Sequence, residues 1–181
     1  ISADRNNVCA GTNILFTATP VNGGSAPSYQ WYVNNNPVGG NSSTFNSSSL
    51  NNNDQVRVVM TSNASCVSGN PANSNVVTMT ITPSQAALVS ISPDRNGICT
   101  GLNVTFTATP VNGGSTPTYQ WFLNNNPVGT NSNTYSNSSL NNNDQVRVVM
   151  TSNASCVSGN PATSNIVVMN VGAPQPVSVS I

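Results

Sequence analysis

Lysine, glutamate and histidine do not occur in these 181 residues, and charged side chains make up only 4% of them, against about a quarter in an ordinary soluble chain. Without those three residue types there is no familiar general base to activate any of the many serine and threonine hydroxyls. The sequence is therefore expected not to be an enzyme. The charges are Asp4, Arg5, Asp54, Arg57, Asp94, Arg95, Asp144 and Arg147, and they sum to zero. No basic patch can be assembled from them. The counterion term that drives nucleic-acid binding and the attraction of polybasic segments to anionic lipid are both missing. No apolar run approaches the ~20 residues of a membrane span, so neither nucleic acid nor direct membrane insertion is expected. Low charge is not disorder here, because Val, Ile, Leu, Phe and Trp fall in alternating runs. Solubility rests on Asn, Ser and Thr.

What the chain does contain, it contains twice. Leu50–Ala72 returns unchanged at Leu140–Ala162, and Cys9, Trp31 and Cys66 recur as Cys99, Trp121 and Cys156, always 90 positions on. The copies are about 70% identical, the mark of tandem domains of ordinary small size. The expected divisions are 1–84 for the first repeat, 85–174 for the second and 175–181 for the start of a third. The chain is read as an excerpt from a longer array.

Each repeat reads as short strands between turn-rich loops. Ile14, Phe16 and Ala18 share an inward face, as do Val89 and Ile91. Tyr29, Trp31 and Val33 alternate with Gln30 and Tyr32, and Val56, Val58 and Met60 with Arg57, Val59 and Thr61. A last strand, 76–81, puts Val77, Met79 and Ile81 on one side. Asn34 and Asn35 suit a tight turn, since Asn tolerates positive φ. About seven strands in roughly 90 residues, with a Trp on the third, predict an all-β chain of two immunoglobulin-like β-sandwiches. Trp31 and Trp121 are expected in the core, with an exposed sugar-stacking platform as the alternative. Tyr32 and Phe122, on the other face of that strand, are the better candidates for contact with a ligand or a neighbouring repeat.

Four cysteines, two per repeat, in so polar a chain point to disulfides and an oxidising compartment. Zinc is a poor alternative with two thiols per repeat, no His and no Cys-x-x-Cys, and no cofactor or metal is expected. Calcium wants six to eight oxygens. Asp54 and Asp144 read instead as Asx-type turns, with Arg57 and Arg147 as surface partners, and Asp4 and Asp94 offer one carboxylate per junction. The favoured connectivity is Cys9–Cys66 with Cys99–Cys156, each bond stabilising its repeat by roughly 4 kcal/mol in the chain-entropy model. It carries a difficulty, because those turns fall at opposite ends of a plain sandwich. A bond between repeats, Cys9 to Cys156, is the competing pairing.

The motifs occur in a fixed order. Cys-x-Gly (Cys9–Gly11, Cys99–Gly101) precedes Phe-Thr-Ala-Thr-Pro (Phe16–Pro20, Phe106–Pro110) and Tyr-Gln-Trp (Tyr29–Trp31, Tyr119–Trp121). Leu-x-x-x-Asp-x-Val (Leu50–Val56, Leu140–Val146) and Thr-Ser-Asn-x-x-Cys (Thr61–Cys66, Thr151–Cys156) follow. Over essentially its whole length the chain resembles the PKD-like, immunoglobulin-like repeats of large secreted Bacteroidetes surface adhesins, the gliding-motility adhesins of the SprB type among them. The resemblance implies export through the type IX system to the cell surface, attached to the outer membrane. The expected role is a stalk of a cell-surface adhesin or filament, its partners the neighbouring repeats and, beyond them, surface polysaccharide or other cell-surface proteins. The alternative is a carbohydrate-binding or spacer module of a secreted polysaccharide-acting protein; a self-assembling fibre is a third reading. The duplicated loop around Asn63 and Asn153 is a further candidate for ligand or inter-repeat contact.

Overall fold

Alternating apolar residues make strands here, and asparagines in left-handed conformation turn them. The computed structural model describes residues 1–179. Ser180 and Ile181, which end the stretch expected to open a third repeat, lie outside the described residues. The chain divides into two units, Ile1–Ser84 and Gln85–Ile181, and the described residues form strands and no helix.

The first unit holds β1 (Ser2–Ala3), β2 (Val8–Cys9), β3 (Ile14–Thr17), β4 (Ser28–Val33), β5 (Asn36–Val38), β6 (Thr44–Ser47), β7 (Gln55–Thr61), β8 (Ala72–Asn73), β9 (Val77–Thr78) and β10 (Ile81–Thr82). One sheet runs β1-β3-β6 and the other β5-β4-β7-β8, with β9 also on β7. The first strand is split between partners: β1 lies antiparallel to β3, whereas β2 pairs parallel with β10. The last strand is broken too, where the sequence suggested a continuous 76–81. Met79 still pairs with the Asp54 turn, but Thr80 already accepts from Val8 N–H. The Asn6 side chain fixes the switch, donating to Thr78 O (3.0 Å) and accepting from Thr80 N–H (2.7 Å). With β1 and β2 taken as one strand, and β8, β9 and β10 as successive pieces of another, the unit has seven strands, an immunoglobulin-like sandwich.

In the second unit the strands are β11 (Gln85–Ala86), β12 (Leu88–Pro93), β13 (Ile98–Cys99), β14 (Val104–Val111), β15 (Thr118–Leu123), β16 (Asn126–Val128), β17 (Thr134–Asn137), β18 (Gln145–Thr151), β19 (Val157–Ser158), β20 (Ala162–Thr163), β21 (Val167–Val168) and β22 (Val171–Gly172). Its sheets are β12-β14-β17 and β16-β15-β18-β20 with β21, and β13 pairs parallel with β22 as β2 does with β10. It adds a parallel pair, β11 with β19.

The cores follow the alternation. Ile14, Phe16, Trp31, Val56 and Val58 are buried with Met79 and Ile81 in one; Val104, Phe106, Trp121, Val146 and Val148 are buried with Met169 in the other. Trp31 is fully buried and its Nε1–H donates to Ser42 O (2.8 Å), while Trp121 does the same to Ser132 O (2.8 Å). Both are core residues, not platforms. Asn34 and Asn35 both have positive φ (50° and 66°) in the two-residue link from β4 to β5, the requirement of a type I′ hairpin.

Candidate functional site

Tyr32 and Arg57 lie on the neighbouring strands β4 and β7, and Phe122 and Arg147 on β15 and β18. Tyr32 is directly across the strand pair from Arg57, and Phe122 from Arg147. The guanidinium carbon of each Arg lies 4.1 Å from the ring centroid, a cation–π contact. These aromatics are half-buried beneath their cations and do not form a bare stacking surface. Arg57 does not pair with Asp54, as the sequence suggested. The Asp54 carboxylate accepts from Asn51 N–H (2.8 Å) and from Asn34 Nδ2 (2.6 Å), closing its own turn. The turn reading of Asp54 holds, whereas its surface ion pair gives way to the ring.

Asn63 is spent on the scaffold. Its Oδ1 accepts from Ala26 N–H (3.0 Å) and its Nδ2 donates to Ser25 Oγ (3.3 Å), so it clamps the Gly23–Ala26 loop. Asn153 does the same in its repeat, accepting from Thr116 N–H (3.0 Å) and donating to Thr116 Oγ1 (2.8 Å). Gly24 has φ +80°, and a Cβ there would collide with the Asn63 carboxamide and lie 2.7 Å from Ala64 N. Only glycine fits that approach.

Asp4 accepts from Leu15 N–H (2.9 Å) and from Arg5 Nε (2.9 Å). The Leu15 bond, then Arg5, holds its carboxyl below the usual carboxylate value, and the Thr105 bond and Arg95 do so for Asp94. Burial pushes the Tyr119 phenol up. Among the described residues no cluster of three His, Cys, Asp or Glu is placed to hold a metal. No buried side-chain polar atom among them lacks a hydrogen-bond partner.

The cysteines depart from the favoured pairing. Cys9 and Cys156 are disulfide-bonded, while Cys66 and Cys99 carry free, exposed thiols. Neither Cys9–Cys66 nor Cys99–Cys156 is formed. The fold of a single unit supplies the reason. The Cys9 turn precedes β3, with Thr12 N–H donating to Cys9 O (3.1 Å). The Cys66 loop is tied to the other end of that segment, where the Ser62 hydroxyl donates to Asn22 O (2.6 Å). The two cysteines of a repeat thus sit at opposite ends of its sandwich. Cys66 and Cys156 lie in identical local sequence, which gives no sign of which is bonded.

No family model matches the chain, and no curated protein does. Among solved structures it is similar to the Ig1–Ig3 ectodomain of mouse nectin-like molecule 4, with 12% identity and a TM-score of 0.41 over 98% of this chain and 65% of that one. It is also similar to the four N-terminal Ig domains of a Dscam1 isoform, with 13% identity and a TM-score of 0.40 over 91% and 42%. The three N-terminal domains of the outer capsid protein Hoc of bacteriophage RB49 match with 14% identity and a TM-score of 0.37 over 94% and 57%. The chain thus spans less than two thirds of the length of each.

Proposed function

We propose that the chain is a non-catalytic repeat segment from the stalk of a large secreted cell-surface adhesin or filament. It holds a distal binding region away from the cell and so supports adhesion or gliding. One observation carries this reading. The duplicated polar side chains are used within their own repeat, and both repeats use them alike: Asn63 and Asn153, candidates for ligand contact, clamp a loop, Asp54 and Asp144 close a turn, and Arg57 and Arg147 cover an aromatic ring. Such duplication suits a scaffold whose partners are the neighbouring repeats. The disulfide-bonded cysteines suit an oxidising, extracellular setting, and attachment to the outer membrane after type IX export is part of the same proposal. A carbohydrate-binding role is the rival. Passing the chain over insoluble polysaccharides and a glycan array separates the two. A stalk segment shows no retention; retention that disappears in a Tyr32→Ala, Phe122→Ala double variant overturns the stalk reading.

A further inference from the structure

Strands β6 and β17 differ at two positions on one face. Phe45 corresponds to Tyr135 and Ser47 to Asn137, in the same register against β3 and β14, and residues two apart on a strand point the same way. In the second repeat the pair completes itself. Asn137 Nδ2 donates to the Tyr135 hydroxyl (2.8 Å), and Asn137 Oδ1 accepts from Ser139 N–H (2.7 Å). The first repeat has neither carboxamide nor phenol at these positions. Ser47 Oγ accepts from Ser49 N–H and pairs with Ser49 Oγ, both at 3.2 Å, the second of these longer than a good O–H···O bond. The space beside them is open. A pocket of about 500 Å³ lies between Val33, Phe45, Leu50 and the Ser47–Ser49 segment, within the size range of small-molecule sites.

What the second repeat supplies from its own chain indicates what the first would take from outside. The group there is a planar amide beside an aromatic ring, its oxygen accepting from a backbone N–H and its nitrogen donating to a hydroxyl. An acetamido group has the same donor and acceptor and adds a methyl for an apolar floor. The mouth of the pocket supplies a second set of contacts. Asn13 and Asn46 line it and are exposed, and among the described residues their carboxamides make no hydrogen bond. Asp54 lines it as well. Its oxygens accept from Asn51 N–H and Asn34 Nδ2, which leaves a lone pair on each. Amides and a carboxylate around a rim suit the hydroxyls of a sugar ring, whereas an asparagine side chain of a protein partner would leave them unused.

We propose that this pocket of the first repeat binds an N-acetylated hexosamine by its acetamido group. The acetamido oxygen accepts from Ser49 N–H, its N–H donates to Ser47 Oγ, and its methyl packs on Phe45 and Leu50. The ring hydroxyls meet Asn13, Asn46 and Asp54. The second repeat does not bind, because Tyr135 and Asn137 occupy the corresponding place. A single open pocket for one sugar residue gives an affinity on the order of 1 mM, too weak to survive washing on a solid support. The contact is therefore a lateral one, added to a stalk and not a replacement for its distal binding region.

The test titrates the isotopically labelled full chain with methyl N-acetyl-β-glucosaminide and follows backbone amides by NMR. The amides of Ser47, Ser48 and Ser49 are expected to shift and saturate, while those of Asn137, Ser138 and Ser139 stay in place. Methyl β-glucoside, which lacks the acetamido group, should bind at least about tenfold more weakly. Phe45→Tyr with Ser47→Asn gives the first repeat the closing pair that the second already carries in the same register, and it should abolish the shifts with the melting temperature retained. Absence of saturable shifts, equal binding of the two glycosides, equal shifts in both repeats, or unchanged binding by the closed variant overturns the proposal. So does a Gly-Asn-Gly peptide that binds as well as the sugar, since the ligand would then be a protein side chain. Failure here leaves the stalk reading standing, because that reading is judged by retention on polysaccharide and by substitution of Tyr32 and Phe122, which do not line this pocket.

Discussion

Two aromatic positions show how closely single residues are matched to their surroundings. Phe45 stacks on Phe16 and Trp31, with centroids 5.9 and 5.7 Å away. Its counterpart Tyr135 keeps that stacking and adds a hydroxyl that accepts from Asn137 Nδ2 (2.8 Å). The residue opposite in sequence is Ser47, which bonds to Ser49 instead. The hydroxyl and its donor therefore changed together. In a double-mutant cycle, Asn137→Ala is expected to cost about 1 kcal/mol more with Tyr135 present than in a Tyr135→Phe background, where it loses only the bond its Oδ1 accepts from Ser139 N–H; equal costs in both backgrounds would contradict the coupling. Asp4 and Asp94 make a second prediction at this scale. Their folded pKa values lie below the ordinary 3.8, so the folded state binds the proton less tightly than the unfolded chain. Their contribution to stability is complete above that unfolded value and is lost as pH falls through the lower folded one. Melting temperature is expected to be flat from about pH 7 to 5 and to drop below about pH 4. Asp4→Asn with Asp94→Asn should shrink the drop, and an unchanged drop would refute the assignment.

Among the elements, β3 and β14 show that a strand needs a partner more than a propensity. The residues Ala18–Val21 and Ala108–Val111 are the same four, and only the second set is strand, because Ile91, Ser90, Val89 and Leu88 of β12 pair with Ala108, Thr109, Pro110 and Val111. Native-state hydrogen exchange should therefore find the backbone amides of Thr109 and Val111 markedly better protected than those of Thr19 and Val21, and equal protection would argue against the difference. The same contrast marks what was legible in the sequence. Period-two alternation identified the inward faces of Ile14, Phe16 and Ala18, of Val56 and Val58, and of Val89 and Ile91, because a half-buried strand imposes that pattern on its side chains. The core place of Trp31 and the asparagine turn at Asn34 were legible for similarly local reasons. The break at Thr80 was not, since it is made by a side chain 74 positions away, Asn6. The cations over Tyr32 and Phe122 depend on cross-strand register, and the states of the four cysteines depend on surroundings that duplicated sequence cannot distinguish.

For the molecule as a whole, the scarcity of charge leaves few other terms to hold the fold. The ion pairs among the described residues, Arg5–Asp4 and Arg95–Asp94, join sequence neighbours at the surface, where such pairs contribute little. Stability must come from two small apolar cores, from the amide hydrogen bonds that close the loops, and from the disulfide state of Cys9 and Cys156. A cross-link restricts the unfolded chain more than the folded one, and in small extracellular domains its loss costs about 2–5 kcal/mol. Cys9→Ser and Cys156→Ser are therefore each expected to lower the denaturation midpoint by an amount in that range, and a reductant should reproduce the loss in the unsubstituted chain. Cys66→Ser and Cys99→Ser, at free and exposed thiols, should leave the midpoint of the monomer within about 0.5 kcal/mol of its original value. The comparison is best made by urea titration of all four variants at low protein concentration, with and without reductant. A stability loss on replacing Cys66 or Cys99, or none on replacing Cys9 or Cys156, would show that the bonded and free cysteines had been assigned the wrong way round.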